Sequence, residues 1–207
     1  MTRVRLPVAL VIAISFCMMI ASRTYGQTQF VTSSDGARIA YEVHGTGSPA
    51  LIFVHGWSCD RSYWQAQLEP FSRNFKVAAI DLAGHGESSA GRKAWTIEAF
   101  GADVAAVVKK LHLERVILIG HSMGSNVIAE AARQLPGRVA GLVFVDQYRD
   151  LGPGLTQEEI LTFASRLRSN FADSVASFVR RMFISTSDSA LVEWVAADMS
   201  SARPAIA

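Results

Sequence analysis

Apolar positions along this chain follow two rhythms. Residues 50–54, 77–80, 116–119 and 139–145 form short unbroken apolar runs, the pattern of strands covered on both faces, as in a parallel sheet. Between them, residues 61–71, 96–111 and 123–135 place apolar side chains about every 3.6 residues, which predicts helices with one buried stripe. In the second of these, Ile97, Phe100, Val104, Val107, Val108 and Leu111 share a face, and Lys109 and Lys110 sit in the last turn, where the helix dipole favours cations. Pro136-Gly137 ends the third. Upstream, residues 30–33 and 38–43 flank Asp35-Gly36, a dipeptide suited to a tight hairpin. Strand alternating with helix predicts an α/β fold, a mostly parallel sheet wound by right-handed crossovers with helices on its faces. Past Val145 the rhythm changes: residues 155–199 keep helical periodicity with no further strand run, which predicts an all-helical cap.

The N-terminus has its own pattern. Arg3 and Arg5 precede an apolar stretch over residues 6–21, and Thr24 and Gly26 stand at the −3 and −1 positions of a cleavage site. That reads as a secretory signal peptide over residues 1–26, since the stretch, with Pro7 and Ser15 inside it, falls short of the ~18 apolar residues of a membrane anchor. The expected organisation is signal 1–26, core 27–150 and cap 151–207, with export to the periplasm or outside the cell and no stable membrane span after cleavage. Cys17 leaves with the signal, and Cys59 is expected to be a buried, inert thiol.

Composition narrows the field. The 207 residues are 50% hydrophobic and 18% charged, which excludes disordered, collagenous and disulfide-scaffold classes. A net charge of +2, with the 20 Lys and Arg scattered, gives no footprint for nucleic acid.

The chemistry lies at strand ends. Gly120-His121-Ser122-Met123-Gly124 joins the 116–119 strand to the next helix and fits G-x-S-x-G in the context that gives it meaning. A serine on that strained turn exposes its Oγ above the sheet, and the Met123 amide at the helix N-terminus points at the same spot, where it can bind a developing oxyanion. The competing reading is a glycine-rich turn with a helix-capping serine. His55-Gly56-Trp57 ends the 50–54 strand and offers the Trp57 amide as a second donor, with the His55 imidazole serving structure. The loop Asp81-Leu82-Ala83-Gly84-His85-Gly86-Glu87-Ser88 lacks the third glycine or lysine of a phosphate loop and reads as a tight structural turn.

These three ordered motifs, across residues 30–146, resemble the α/β-hydrolase superfamily in its serine-nucleophile branch. The resemblance implies that Ser122 is the nucleophile, that the Trp57 and Met123 amides form the oxyanion hole, and that residues 155–199 are the helical cap. A serine at position 122 disfavours the branches that attack through an aspartate.

One part of the pattern departs from the family. Ser122 needs a base, and the family order is Ser, then Asp or Glu, then His. The five histidines, His44, His55, His85, His112 and His121, all precede Ser122. His85 alone stands at the right edge of the sheet among upstream candidates, and Asp146 is the candidate acid, though an aspartate at a strand end is also an ordinary turn starter. The family's two C-terminal strands are not in the sequence, and without them the 139–145 strand would keep an unprotected edge and an exposed face. The expectation is an incomplete chain of a secreted serine hydrolase, acting on small or medium apolar esters or related acyl compounds, with no metal or organic cofactor. A non-catalytic ligand- or partner-binding protein on the same scaffold, and a functionless gene fragment, are the alternatives. Oligomeric state is left open.

Overall fold

The computed structural model describes residues 26–147 and 156–206; the signal-peptide stretch over residues 6–21 lies outside them. Six strands form one sheet in the order β1-β2-β4-β3-β5-β6. They are β1 (Gln29–Thr32), β2 (Arg38–His44), β3 (Ala50–Val54), β4 (Val77–Ile80), β5 (Val116–His121) and β6 (Val139–Val145). The β1–β2 hairpin and the β2–β4 pair are antiparallel, and the β4–β3, β3–β5 and β5–β6 pairs are parallel.

The unbroken apolar runs have the cause their pattern implies. Ile52, Val54, Ala78, Ile80 and Leu118 face α2 (Ile97–Lys110) and α3 (Met123–Gln134), where Phe100, Val104, Val107, Val127 and Ile128 fill the main core. Leu51, Phe53, Val77, Ala79 and Ile119 face the opposite way, onto Trp64 and Leu68 of α1 (Gln65–Ser72) and the short 3-10 turn before it. Residues 61–71 are therefore not one helix: Arg61–Trp64 is a 3-10 turn whose cap, Asp60, accepts from the Ser62 amide, and the α-helix begins at Gln65. Thr96 caps α2 through the Ala99 amide, and Lys109 and Lys110 occupy its last turn.

β6 departs from the expectation of a strand buried on both faces. No residue of it is fully buried, and Val143, Phe144 and Val145 are exposed, Phe144 by 49%. Among the described residues it is an edge strand paired only with β5. Its apolar sequence matches a covered strand, but α3 shields only part of one face.

After β6 come three helices, α4 (Gln157–Ser169), α5 (Phe171–Met182) and α6 (Ser189–Ser200). The 155–199 periodicity resolves into these, and α4 opens with a reciprocal capping box between Thr156 and Glu159. Val175, Val179, Val195, Ala196 and Met199 pack with Cys59 and with Trp57 and Tyr63, so the cap sits on the loop that follows β3.

Candidate active site

The strand order reverses direction at β3, which has β4 on one side and β5 on the other. In open α/β sheets the crevice at such a switch point, beyond the C-terminal strand ends, is where ligands bind. Both sequence motifs end there, His55-Gly56-Trp57 after β3 and the serine turn after β5.

Ser122 adopts φ 50 and ψ −118, a strained conformation for a residue with a side chain. Its amide donates to the Val145 carbonyl at 2.9 Å, which ties the turn to the end of β6. Close backbone approach explains the flanking glycines. A Cβ on Gly124 would lie 2.5 Å from the His55 carbonyl oxygen and 2.7 Å from that of Val54, and one on Gly120 would meet the Gly124 backbone. The Ser122 side chain is exposed and makes no capping hydrogen bond to α3, so the helix-capping reading of this serine is not what the fold uses it for.

The two amides singled out in the sequence flank this turn. Met123 is the first residue of α3, so its N–H is one of the four a helix leaves unpaired at its start. Trp57 occupies the turn after β3, which His121 holds from the other side: its Nδ1 would be 2.8 Å from a Cβ at Gly56. The Trp57 ring meets Phe171 of α5 edge-on at 6.2 Å, placing it between sheet and cap.

The turn after β3 is fixed by its histidine. His55 is fully buried; its Nδ1 donates to the Gly56 carbonyl at 2.8 Å, and its Nε2 accepts the Leu82 amide at 3.0 Å. The Leu82 amide requires an unprotonated Nε2 and so a neutral ring, and burial, assisted by the neighbouring His85 ring, drives the His55 pKa down to about 3 against the opposing pull of the Gly56 carbonyl. The loop after β4 is equally structural. Ser88 Oγ donates to the Asp81 carbonyl at 2.7 Å and accepts from the Ala40 amide at 2.8 Å. The Asp81 carboxylate receives the Arg61 and Glu87 amides and an ion pair from the Arg61 guanidinium. Burial outweighs these partners and raises the Asp81 pKa to about 6.

The other histidines are engaged elsewhere. His44 pairs with Glu42 at 2.9 Å, and His85 is buried against His55 with its Nδ1 donating to the Ala83 carbonyl. His112 follows α2 at the opposite end of β5. Asp146, just past β6 with φ 49, is 88% exposed on its side chain and stands 4.0 Å from His121 Nε2. Burial lowers the His121 pKa, and Asp146 opposes that shift. Cys59 is buried, its thiol donating to the Trp57 carbonyl at 3.4 Å, and burial pushes its pKa up to about 12.

Two features had no sequence signal. Tyr63 donates its hydroxyl to Asp198 at 2.7 Å across 135 positions of chain, and stacks on Trp194 at 4.9 Å, tying α6 to the turn after β3. Ser58 takes a left-handed backbone, φ 57. Among the described residues no group of three or more His, Cys, Asp or Glu is placed to hold a metal, and no helix is long and apolar enough to cross a membrane.

Residues 49–201 match a family model described as alpha/beta hydrolase fold. The chain is 40% identical over 118 residues to a non-heme haloperoxidase of Rhodococcus erythropolis, covering 56% of this chain and 43% of that protein. It is 37% identical over 153 residues to a non-heme chloroperoxidase of Streptomyces lividans, covering 69% of this chain and 55% of that one. Among solved structures, a thermophilic esterase from Thermogutta terrifontis superposes with a TM-score of 0.73 at 29% identity, over 86% of this chain and 68% of that one. The chain thus spans about half the length of these two curated relatives.

Proposed function

Because the chain belongs to the alpha/beta hydrolase fold family, we propose that it works as a serine hydrolase on carboxylic esters or related acyl compounds, through an acyl enzyme on Ser122. The observation that carries this is the exposed Ser122 hydroxyl on a left-handed turn between β5 and α3, serving no capping role. In the proposed reaction Oγ gives its proton to a base and attacks the substrate carbonyl carbon. The carbonyl electron pair moves to oxygen, where the Trp57 and Met123 amides hold the charge. Collapse expels the alcohol, which takes the proton from the base, and water then releases the acid by the same route.

The base is assigned to none of the five histidines present, four of which have partners or positions that keep them from Ser122 and one of which, His121, packs on Gly56. On this reading a histidine and its acid come from sequence other than these 207 residues, and Asp146, pointed to solvent, is a hinge to the cap. Trp57 against Phe171 gives the site an apolar wall and supports a small or medium apolar substrate. Export, with residues 1–26 as a removed signal, is part of the same proposal.

A fluorophosphonate probe applied to the protein from its natural source tests the reading. Labelling at Ser122, and none in Ser122→Ala, is the expected result. Ester turnover that survives Ser122→Ala removes the acyl-serine, and peroxide-dependent halogenation without ester cleavage favours the activity named for the Rhodococcus relative. The engaged state of the histidines favours a second reading, a binding protein on a hydrolase scaffold, which predicts tight ligand binding with neither labelling nor turnover.

A further inference from the structure

A carboxylate stands on the buried face of α2, between Phe100 and Val107 of the main core. Asp103 is fully buried, and Arg92, whose side chain is buried as deeply, supplies the counter-charge. The pair is poorly suited to holding the fold together. Burial raises the Asp103 pKa even with Arg92 beside it, and Arg92 Nη1 has no hydrogen-bond partner. Buried ion pairs can often be replaced by well-packed apolar side chains at no loss of stability. Stability alone therefore leaves the carboxylate unexplained.

Its second oxygen points to another role. Asp103 Oδ2 accepts the Ala83 amide at 3.1 Å, in the loop after β4. The preceding amide, that of Leu82, goes to His55 Nε2 at 3.0 Å, so two consecutive amides of this loop are held by side chains from different elements. His85 strengthens the joint: its Nδ1 donates to the Ala83 carbonyl, and its ring lies 5.0 Å from His55 and 5.9 Å from Phe100 of α2. At the far end His55 Nδ1 donates to the Gly56 carbonyl at 2.8 Å. That carbonyl belongs to the same peptide group as the Trp57 N–H. Because a peptide group is planar, fixing its oxygen fixes the direction in which the N–H points.

We propose that Asp103 is a positioning residue for the oxyanion hole: from α2 it holds the loop after β4 against His55, and through His55 it aims the Trp57 N–H. This rests on the oxyanion role proposed above for that amide. Two variants of the full-length protein test it. Arg92→Met/Asp103→Asn and Arg92→Met/Asp103→Leu both lack the ion pair and leave no buried charge, but only Asn keeps an acceptor for the Ala83 amide. In the Leu variant, relative to the Asn one, the Leu82 amide should exchange about tenfold faster and the Trp57 amide resonance should move, while exchange in β5 is unchanged. With p-nitrophenyl butyrate, kcat should fall about tenfold and KM stay within about twofold, the mark of an interaction made in the transition state. If Asp103→Leu does not fold, Asp103→Ala takes its place on the same background. Equal Leu82 exchange and an unmoved Trp57 resonance, equal kcat, or a loss carried by KM overturns the proposal. The exchange and resonance are read without substrate, so failure of this brace is distinguishable from failure of the acyl-serine reading, which turnover surviving Ser122→Ala would reveal.

Discussion

The strained turn at Ser122 was legible because a motif marks it by spacing and the backbone obeys that spacing: its flanking glycines lie where a Cβ would strike neighbouring backbone. Gly124→Ala therefore pushes a methyl group against the His55 and Val54 carbonyls, backbone atoms that cannot swing aside. The expected loss is about 1 to 3 kcal/mol in urea unfolding, the range of other overpacked sites. Ser58 was not legible, since no local pattern distinguishes a serine whose hydroxyl is left unpaired from one that is solvated. The inert character of Cys59 follows from its burial, which sequence position alone suggested. The acid is where reading residue by residue runs out: Asp146 is at the expected sheet edge, yet its carboxylate points to solvent.

At the level of elements, β1 to β5 and the first three helices were visible in the apolar rhythm, with ends shifted by one or two residues and one helix divided into a 3-10 turn and an α-helix. β6 shows the limit of that rhythm. An unbroken apolar run states what a strand can tolerate, whereas burial depends on which neighbours arrive. Among the described residues Val143, Phe144 and Val145 stand exposed on an edge strand, an arrangement that favours association through the sheet edge. Phe144→Lys should lower light scattering on concentration and leave the melting temperature within a few degrees. The cap was legible as helical but its attachment was not, because the Tyr63–Asp198 bond joins positions that sequence does not associate. Tyr63→Phe removes that bond, worth about 1 kcal/mol, and should speed hydrogen exchange in α6 while β3 and β5 keep their protection.

For the whole molecule, acid is the expected point of weakness. His55 ionises near pH 3 when folded and near 6.5 when unfolded, so folding favours the neutral ring. The stability it supplies is complete above pH 6.5 and declines as pH falls toward 3. Asp81, raised to about 6, acts in the opposite direction between its unfolded value and 6, losing stability as pH rises. Comparison with a variant separates the two: between pH 7 and pH 5 the wild type should lose about 2 kcal/mol more than His55→Gln, read by urea titration at each pH. Equal losses in the two proteins would show that His55 ionises normally.

The two hydrogen bonds of His55 have a consequence for how such a scaffold diversifies. They clamp the turn carrying Trp57 to the loop after β4, so the lower side of the crevice is held from within the sheet. The wall above, Phe171 and its helix, touches that turn through side chains alone. Substitutions in the helices after β6 therefore carry lower risk to the fold than the same number beneath Trp57, which would unlock two loops at once. Exchange of the whole cap between relatives becomes the natural unit of experiment, with the clamp serving as the fixed socket into which each new cap is fitted.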